Sequence, residues 1–123
     1  MINNIAIIGS TGVLGSKLLS YLNKYNKKIN LITCYSNHKK LVRQKKLSSA
    51  KHAIVLNARI KNINSILKYG ENHLFNYIKN ETIDLFYILN TGFESLKYID
   101  HIIKYKKNCT IAVANKEILV AGG

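Results

Sequence analysis

Proline and tryptophan are absent from this 123-residue sequence, cysteine occurs twice, and acidic side chains number only six. Without proline there is no Pro-rich linker, and no Gly/Ser-rich stretch, repeat or low-complexity tail takes its place. Nothing therefore divides the chain, whose length suits one core but not a cofactor domain plus a substrate domain. Cys34 and Cys109 stand far apart with no C-x-x-C spacing, which argues against a metal or redox pair. Both read as small apolar fillers in a reduced, cytoplasmic setting. No apolar stretch reaches the ~18 to 20 residues that a membrane-spanning helix needs. The opening "MINNIAIIGS" has no basic region before its apolar run and no small-residue cleavage site, so a secretory signal is not expected.

The shortage of acids leaves a formal net charge of +13. Such a balance raises nucleic acid as a partner. Here the excess is lysine rather than arginine, and it accompanies abundant Ile, Asn and Tyr, all encoded by A/T-rich codons. Compositional bias accounts for that pattern, and the lysines spread over nearly every segment, with one denser run, "HKKLVRQKK", at 38–46. We therefore expect solvated faces, with neither a nucleic-acid nor a membrane partner. The surplus charge would still attract anionic ligands such as phosphorylated substrates.

What is present is an alternation of short apolar runs and longer amphipathic ones. "NIAIIG" (4–9), "INLITCY" (29–35), "HAIVLNA" (52–58), "IDLFYIL" (83–89) and "CTIAVA" (109–114) have strand length. Near-continuous apolar runs suit strands buried on both faces of a parallel sheet. Leu14, Leu18, Leu22 and Tyr25 place an apolar stripe on a helix over about 12–26, and Leu96, Ile99 and Ile103 repeat the geometry before the last strand. Residues 60–79 read as one broken helix or two short ones around Gly70. The expected fold is α/β: a Rossmann-like, doubly wound parallel sheet in a single domain.

The segment "GSTGVLG" places Gly9, Gly12 and Gly15 at three-residue intervals between the first strand and the first helix. Gly9 can take the tight turn, Gly12 can let a diphosphate approach the backbone, and Gly15 can let the helix pack close to the sheet. Free N–H groups at the helix start favour phosphate, and Thr11 can add a hydroxyl. In NAD-binding domains the second strand commonly ends in an acid that bonds the ribose hydroxyls. Here "TCYSNHKK" (33–40) has none, and Ser36, Asn37, His38, Lys39 and Lys40 would instead hold a 2′-phosphate. That favours NADP over NAD. The plainer alternative, that Ser36 or Asn37 caps the next helix, stays open beside it. Asn115, Lys116 and Glu117 follow the last strand, either as a helix cap with its first turn or as polar groups facing a ligand.

Taken together, "IAIIGSTGVLG", "ETIDLFYILNTGFESL" and "IAVANKEILVAGG" resemble the 1-deoxy-D-xylulose 5-phosphate reductoisomerase family, NADPH enzymes of the non-mevalonate isoprenoid pathway. The resemblance runs over essentially the whole chain but covers only that family's N-terminal NADPH-binding region. It implies that Thr11, Gly12, Val13 and Leu14 bind NADPH through the glycine turn. Positions 34–37 match the family's Ala-Gly-(Lys/Arg)-Asn, with Asn37 retained but Tyr35 for glycine and Ser36 for the basic residue. "NTGFESL" keeps Gly92, Phe93 and Leu96 and has Ser95 for a glycine. Asn115 and Glu117 match NADPH contacts, and Lys116 matches a residue facing the substrate.

The resemblance also implies a reaction that rearranges 1-deoxy-D-xylulose 5-phosphate and reduces it to 2-C-methyl-D-erythritol 4-phosphate, assisted by Mg or Mn. The family's metal ligands lie in an Asp-x-Glu segment, and no two of the six acids here have that spacing. We thus expect residues 1–123 to form an NADPH-binding domain with no metal ligands, lacking the metal/substrate and C-terminal helical domains. Alone it is expected to be inactive, and an exposed sheet edge favours a homo-oligomer or a complementing C-terminal fragment. The competing readings are a non-catalytic NADP-binding module and a basic nucleic-acid-binding domain.

Overall fold

A computed structural model describes residues 4–60, 64–89 and 94–114. In chain order the elements are β1 (Ile5–Ile8), α1 (Val13–Lys24), β2 (Ile29–Cys34), α2 (His38–Ser48), β3 (His52–Val55), β4 (Lys68–Tyr69), α3 (Glu71–Asn80), β5 (Leu85–Ile88), α4 (Glu94–Tyr105) and β6 (Thr110–Val113). Each of the five apolar runs contains a strand. All strand pairs are parallel, in the order β4-β3-β2-β1-β5-β6.

Side-chain alternation along β1 explains why the runs are apolar throughout. Ile5 and Ile7 join a core with Leu19 and Leu22 of α1 and Leu41 of α2. Ala6 and Ile8 face the other way, onto Leu74 and Ile78 of α3 and Tyr98 and Ile102 of α4. The sheet is thus covered by α1 and α2 on one face and α3 and α4 on the other, and both strand faces must be apolar. Each fully buried aliphatic side chain contributes roughly 1.5–3 kcal/mol. Strand order reverses between β1 and β5, and in such sheets the crevice beyond the carboxyl ends at that point is where ligands bind.

Helix phases depart from the expected stripes. α1 buries Gly15, Leu19 and Leu22, while Leu14 and Tyr25 are 51% and 54% exposed. α4 buries Ser95, Tyr98 and Ile102, leaving Leu96 and Ile103 exposed and Ile99 half-buried. In both helices a small residue, Gly15 or Ser95, occupies the buried position nearest the helix start, and that sets which face turns inward. A search for large apolar residues passes over these positions.

Residues 64–69 are not helical, correcting the expectation for 60–79. The Asn64 side-chain oxygen accepts from the Ile66 N–H (3.0 Å), and the Leu67 N–H donates to the Asn64 carbonyl (3.0 Å). This local turn competes with a helix, as asparagine side chains often do. Gly70, at φ 106°, then redirects the chain into α3.

At the amino edge of the sheet, the Glu81 carboxylate accepts from His52 Nε2 (2.6 Å) and pairs with Lys51 Nζ (3.1 Å), and Tyr77 stacks on the His52 ring. Hydrogen bonds from His52 and then Lys51 hold the Glu81 carboxyl below the usual carboxylate range. A lowered native pKa stabilises the fold above the unfolded value, and the benefit disappears as pH falls through the native one. Glu81→Gln should therefore cost about 0.5–1 kcal/mol at neutral pH in urea unfolding. Its deficit against the parent should close below pH ~4.

Both cysteines are free thiols; Cys34 is buried in the core, where desolvation pushes its thiol up to about 12. Thiol titration at pH 8 should label half-buried Cys109 first and reach Cys34 only on unfolding.

Candidate cofactor turn at the carboxyl edge of the sheet

The three glycines of the first turn have three different physical roles. Gly9 leaves β1 at φ 98°, a left-handed conformation that favours glycine. A Cβ on Gly15 would lie 2.1 Å from the Gly9 carbonyl oxygen and 2.8 Å from Ser10 Cα, so only glycine permits this approach of α1 to the strand end. Gly12, in contrast, has nothing within 4 Å of a Cβ built on it. It faces open space, at ordinary extended angles (φ −68°, ψ 175°), as the N-cap of α1.

That helix start is uncapped. No side chain bonds its free N–H groups, and no acid lies in its first turn. The first N–H groups of a helix have no partner within it, so here they point donors and the positive end of the helix dipole outward. Beside them, Val13 and Leu14 are 76% and 51% exposed. Thr11 is half-buried. The four predicted residues 11–14 thus lie together at this helix start, with Val13 and Leu14 exposed beside its free N–H groups.

The turn is held from below by residues that sequence reading missed. Gly9 N–H donates to Thr33 Oγ1 (3.0 Å), and Ser10 N–H donates to the Thr33 carbonyl (2.8 Å). Buried Gln44 clasps Ser10 twice: its Oε1 accepts from Ser10 Oγ (2.7 Å) and its Nε2 donates to the Ser10 carbonyl (2.8 Å). The available signals were a hydroxyl within an apolar strand and one uncharged amide within a cationic run.

The second predicted cluster borders this turn. Asn37 caps α2, its Oδ1 accepting from the Lys40 N–H at 3.4 Å, so the capping alternative holds. Ser36 is exposed, as is Tyr35. Lys40 Nζ donates to the Thr11 carbonyl (2.8 Å). An ammonium has three N–H donors, so this bond leaves Lys40 able to reach a second acceptor. The β2 end and the glycine turn are thus physically joined. Asn115, Lys116 and Glu117, together with Gly92 and Phe93, lie outside the described residues.

A family model described as 1-deoxy-D-xylulose 5-phosphate reductoisomerase matches residues 5–123. The chain belongs to the 1-deoxy-D-xylulose 5-phosphate reductoisomerase family. Among curated relatives, the reductoisomerase of Pelagibacter ubique is 39% identical over 133 aligned residues, covering 96% of this chain and 33% of its own length. That of a Sulfurihydrogenibium species is 32% identical, covering 97% and 32%. The chain spans about a third of the length of the curated relatives it matches. Among solved structures, the Zymomonas mobilis reductoisomerase in complex with NADPH superposes with a TM-score of 0.82 at 23% identity, over 98% of this chain and 34% of that one. A reductoisomerase in complex with magnesium gives 0.79 at 20% identity, over 98% and 32%. These likenesses establish the fold.

Within this reductoisomerase family chain, the Ser95 that stands for a glycine is fully buried at the start of α4, where a larger side chain would not fit as readily. No group of three His, Cys, Asp or Glu among the described residues could hold a metal ion. No described helix is long and apolar enough to cross a membrane. The glycine roles are separable by stability. Gly15→Ala should cost about 3 kcal/mol or more, because the obstructing atoms are backbone. Gly12→Ala should remain within about 1 kcal/mol of the parent in the same urea unfolding experiment.

Proposed function

We propose that this chain is an NADPH-holding unit of a 1-deoxy-D-xylulose 5-phosphate reductoisomerase. One observation carries the reading: an uncapped, acid-free helix start sits behind a glycine whose missing side chain leaves open space. In this reading the N–H groups of residues 11–14 receive the diphosphate, and Val13 and Leu14 cover the apolar parts of the dinucleotide. Ser36, Asn37 and Lys40 receive the 2′-phosphate. Lys40 takes the role of the basic residue that Ser36 has replaced, and its bond to Thr11 positions it beside the turn.

When bound, NADPH supplies the hydride for reduction. What this chain contributes is orientation: Thr33, Gln44 and Ser10 hold the turn rigid, so little ordering entropy is lost as the nucleotide docks. Asn115 and Glu117 are assigned to the nucleotide, and Lys116 to the anionic substrate, on the strength of the family motif. The family reaction from 1-deoxy-D-xylulose 5-phosphate to 2-C-methyl-D-erythritol 4-phosphate, in isoprenoid synthesis, is the activity we assign to the family-length enzyme. A divalent cation has no fitting donor set among the described residues. Two free thiols suit a reducing, cytoplasmic setting.

Fluorescence titration tests the proposal. NADPH should bind at least about tenfold more tightly than NADH, a difference of ~1.4 kcal/mol. Gly12→Val should lose NADPH binding while melting at nearly the parental temperature. Equal affinity for the two nucleotides would refute the 2′-phosphate assignment. Undiminished NADPH binding by Gly12→Val would refute the role of the turn.

A further inference from the structure

The basic residues run along the whole chain, but the acids that would balance them do not. Residues 1–70 contain thirteen lysines and arginines and no acid at all, whereas residues 71–123 contain six of each. Codon bias acts on the whole gene, so it accounts for abundant lysine but not for acids confined to one portion. In the fold, this division becomes a surface. α1 and α2 share one face of the sheet and carry seven lysines and arginines with no opposing carboxylate.

Between those two helices lies a cleft of about 300 Å³. One wall is the stripe Lys40, Arg43 and Leu47 of α2; the other is Ser16, Ser20 and Asn23 of α1, with Leu19 and Gln44 also lining the space. Spacings of three and four put each set on one side of its helix. The cleft therefore runs from a cationic end beside the glycine turn to an end where Leu47 stands among the small polar side chains of Asn23 and Ser48. That leucine is 74% exposed, at odds with its place on a strongly charged helix. A concave end of this kind does not suit a flat lipid surface, and a nucleic-acid backbone brings no apolar side chain to meet Leu47.

We infer that the α1–α2 face is a docking surface for an acidic amphipathic peptide segment of a partner protein. The segment lays an apolar side chain against Leu19 and Leu47 while its carboxylates meet Arg43 and the neighbouring lysines. This is the helix-in-groove mode of recognition, with charge complementarity selecting the partner. It shares Lys40 with the proposed nucleotide site but rests on Arg43, Leu19 and Leu47, which that reading does not use.

The test uses fluorescence anisotropy with two labelled, charge-matched helical peptides of about 14 residues, one bearing Glu and Leu, the other Glu and Ser. At near-physiological salt, where exposed charges are screened beyond ~8 Å, the leucine peptide should bind and the serine peptide should not. Arg43→Glu should weaken binding about tenfold or more, and Leu47→Ser roughly threefold. Lys107→Glu, an equal charge change outside this face, should alter it less than about twofold. Circular dichroism melts check that each variant is folded. Equal binding of both peptides, equal loss in Arg43→Glu and Lys107→Glu, displacement by a single-stranded oligonucleotide of the same charge, or no binding at all would each overturn the proposal.

Discussion

Gly15 lies so close to the chain leaving β1 that a β-carbon on it would come within 2.1 Å of the Gly9 carbonyl oxygen. This contact fixes the rotation of α1 about its own axis. With Gly15 against the turn, Leu19 and Leu22 face the sheet, and Leu14 is carried outward with Val13. Val13 and Leu14 then stand exposed beside the unbonded N–H groups of the helix start. The exposed helix start and the core packing are thus set by one steric condition, and a methyl group would disturb both.

A second layer makes the arrangement stiff. Thr33 from β2 and Gln44 from α2 converge on Gly9 and Ser10, and Lys40 reaches the Thr11 carbonyl. Buried hydrogen bonds of this kind contribute about 1 kcal/mol each, but leaving one partner unsatisfied costs about 1–3 kcal/mol. The glycine turn therefore cannot shift without breaking bonds to two other elements. It also shares lining with the α1–α2 cleft, since Lys40 and Gln44 belong to both.

Much of this was legible in the sequence, and the reasons are specific. A doubly covered parallel sheet needs apolar residues on both strand faces, so five of its six strands stood out as continuous runs. The two-residue β4 gave no such run. Glycine spacing located the turn, because only glycine meets the positive φ at Gly9 and the close contact at Gly15. The helix phases were legible only in part: Leu22 is buried and Leu18 and Ile99 pack against the cores, but Gly15 and Ser95 occupy the innermost positions, and small residues leave no hydrophobic signature. Gln44 was hidden within a run of lysines, where its burial depends on how α2 meets the turn. The net charge of +13 is plain in the sequence, but the acid-free stretch of residues 1–70 gains meaning only once α1 and α2 are seen to share a face. Residues 115–117, on which the family resemblance leans, lie outside the described residues.

In the proposed function the nucleotide is received by the helix start at Gly12. A ¹⁵N–¹H NMR titration with NADPH addresses it amide by amide. The account predicts that the largest shifts fall at Gly12, Val13 and Leu14, with a second group at Ser36 to Lys40 that is absent when NADH is used. Shifts centred elsewhere, with residues 11–14 unmoved at saturation, would contradict it.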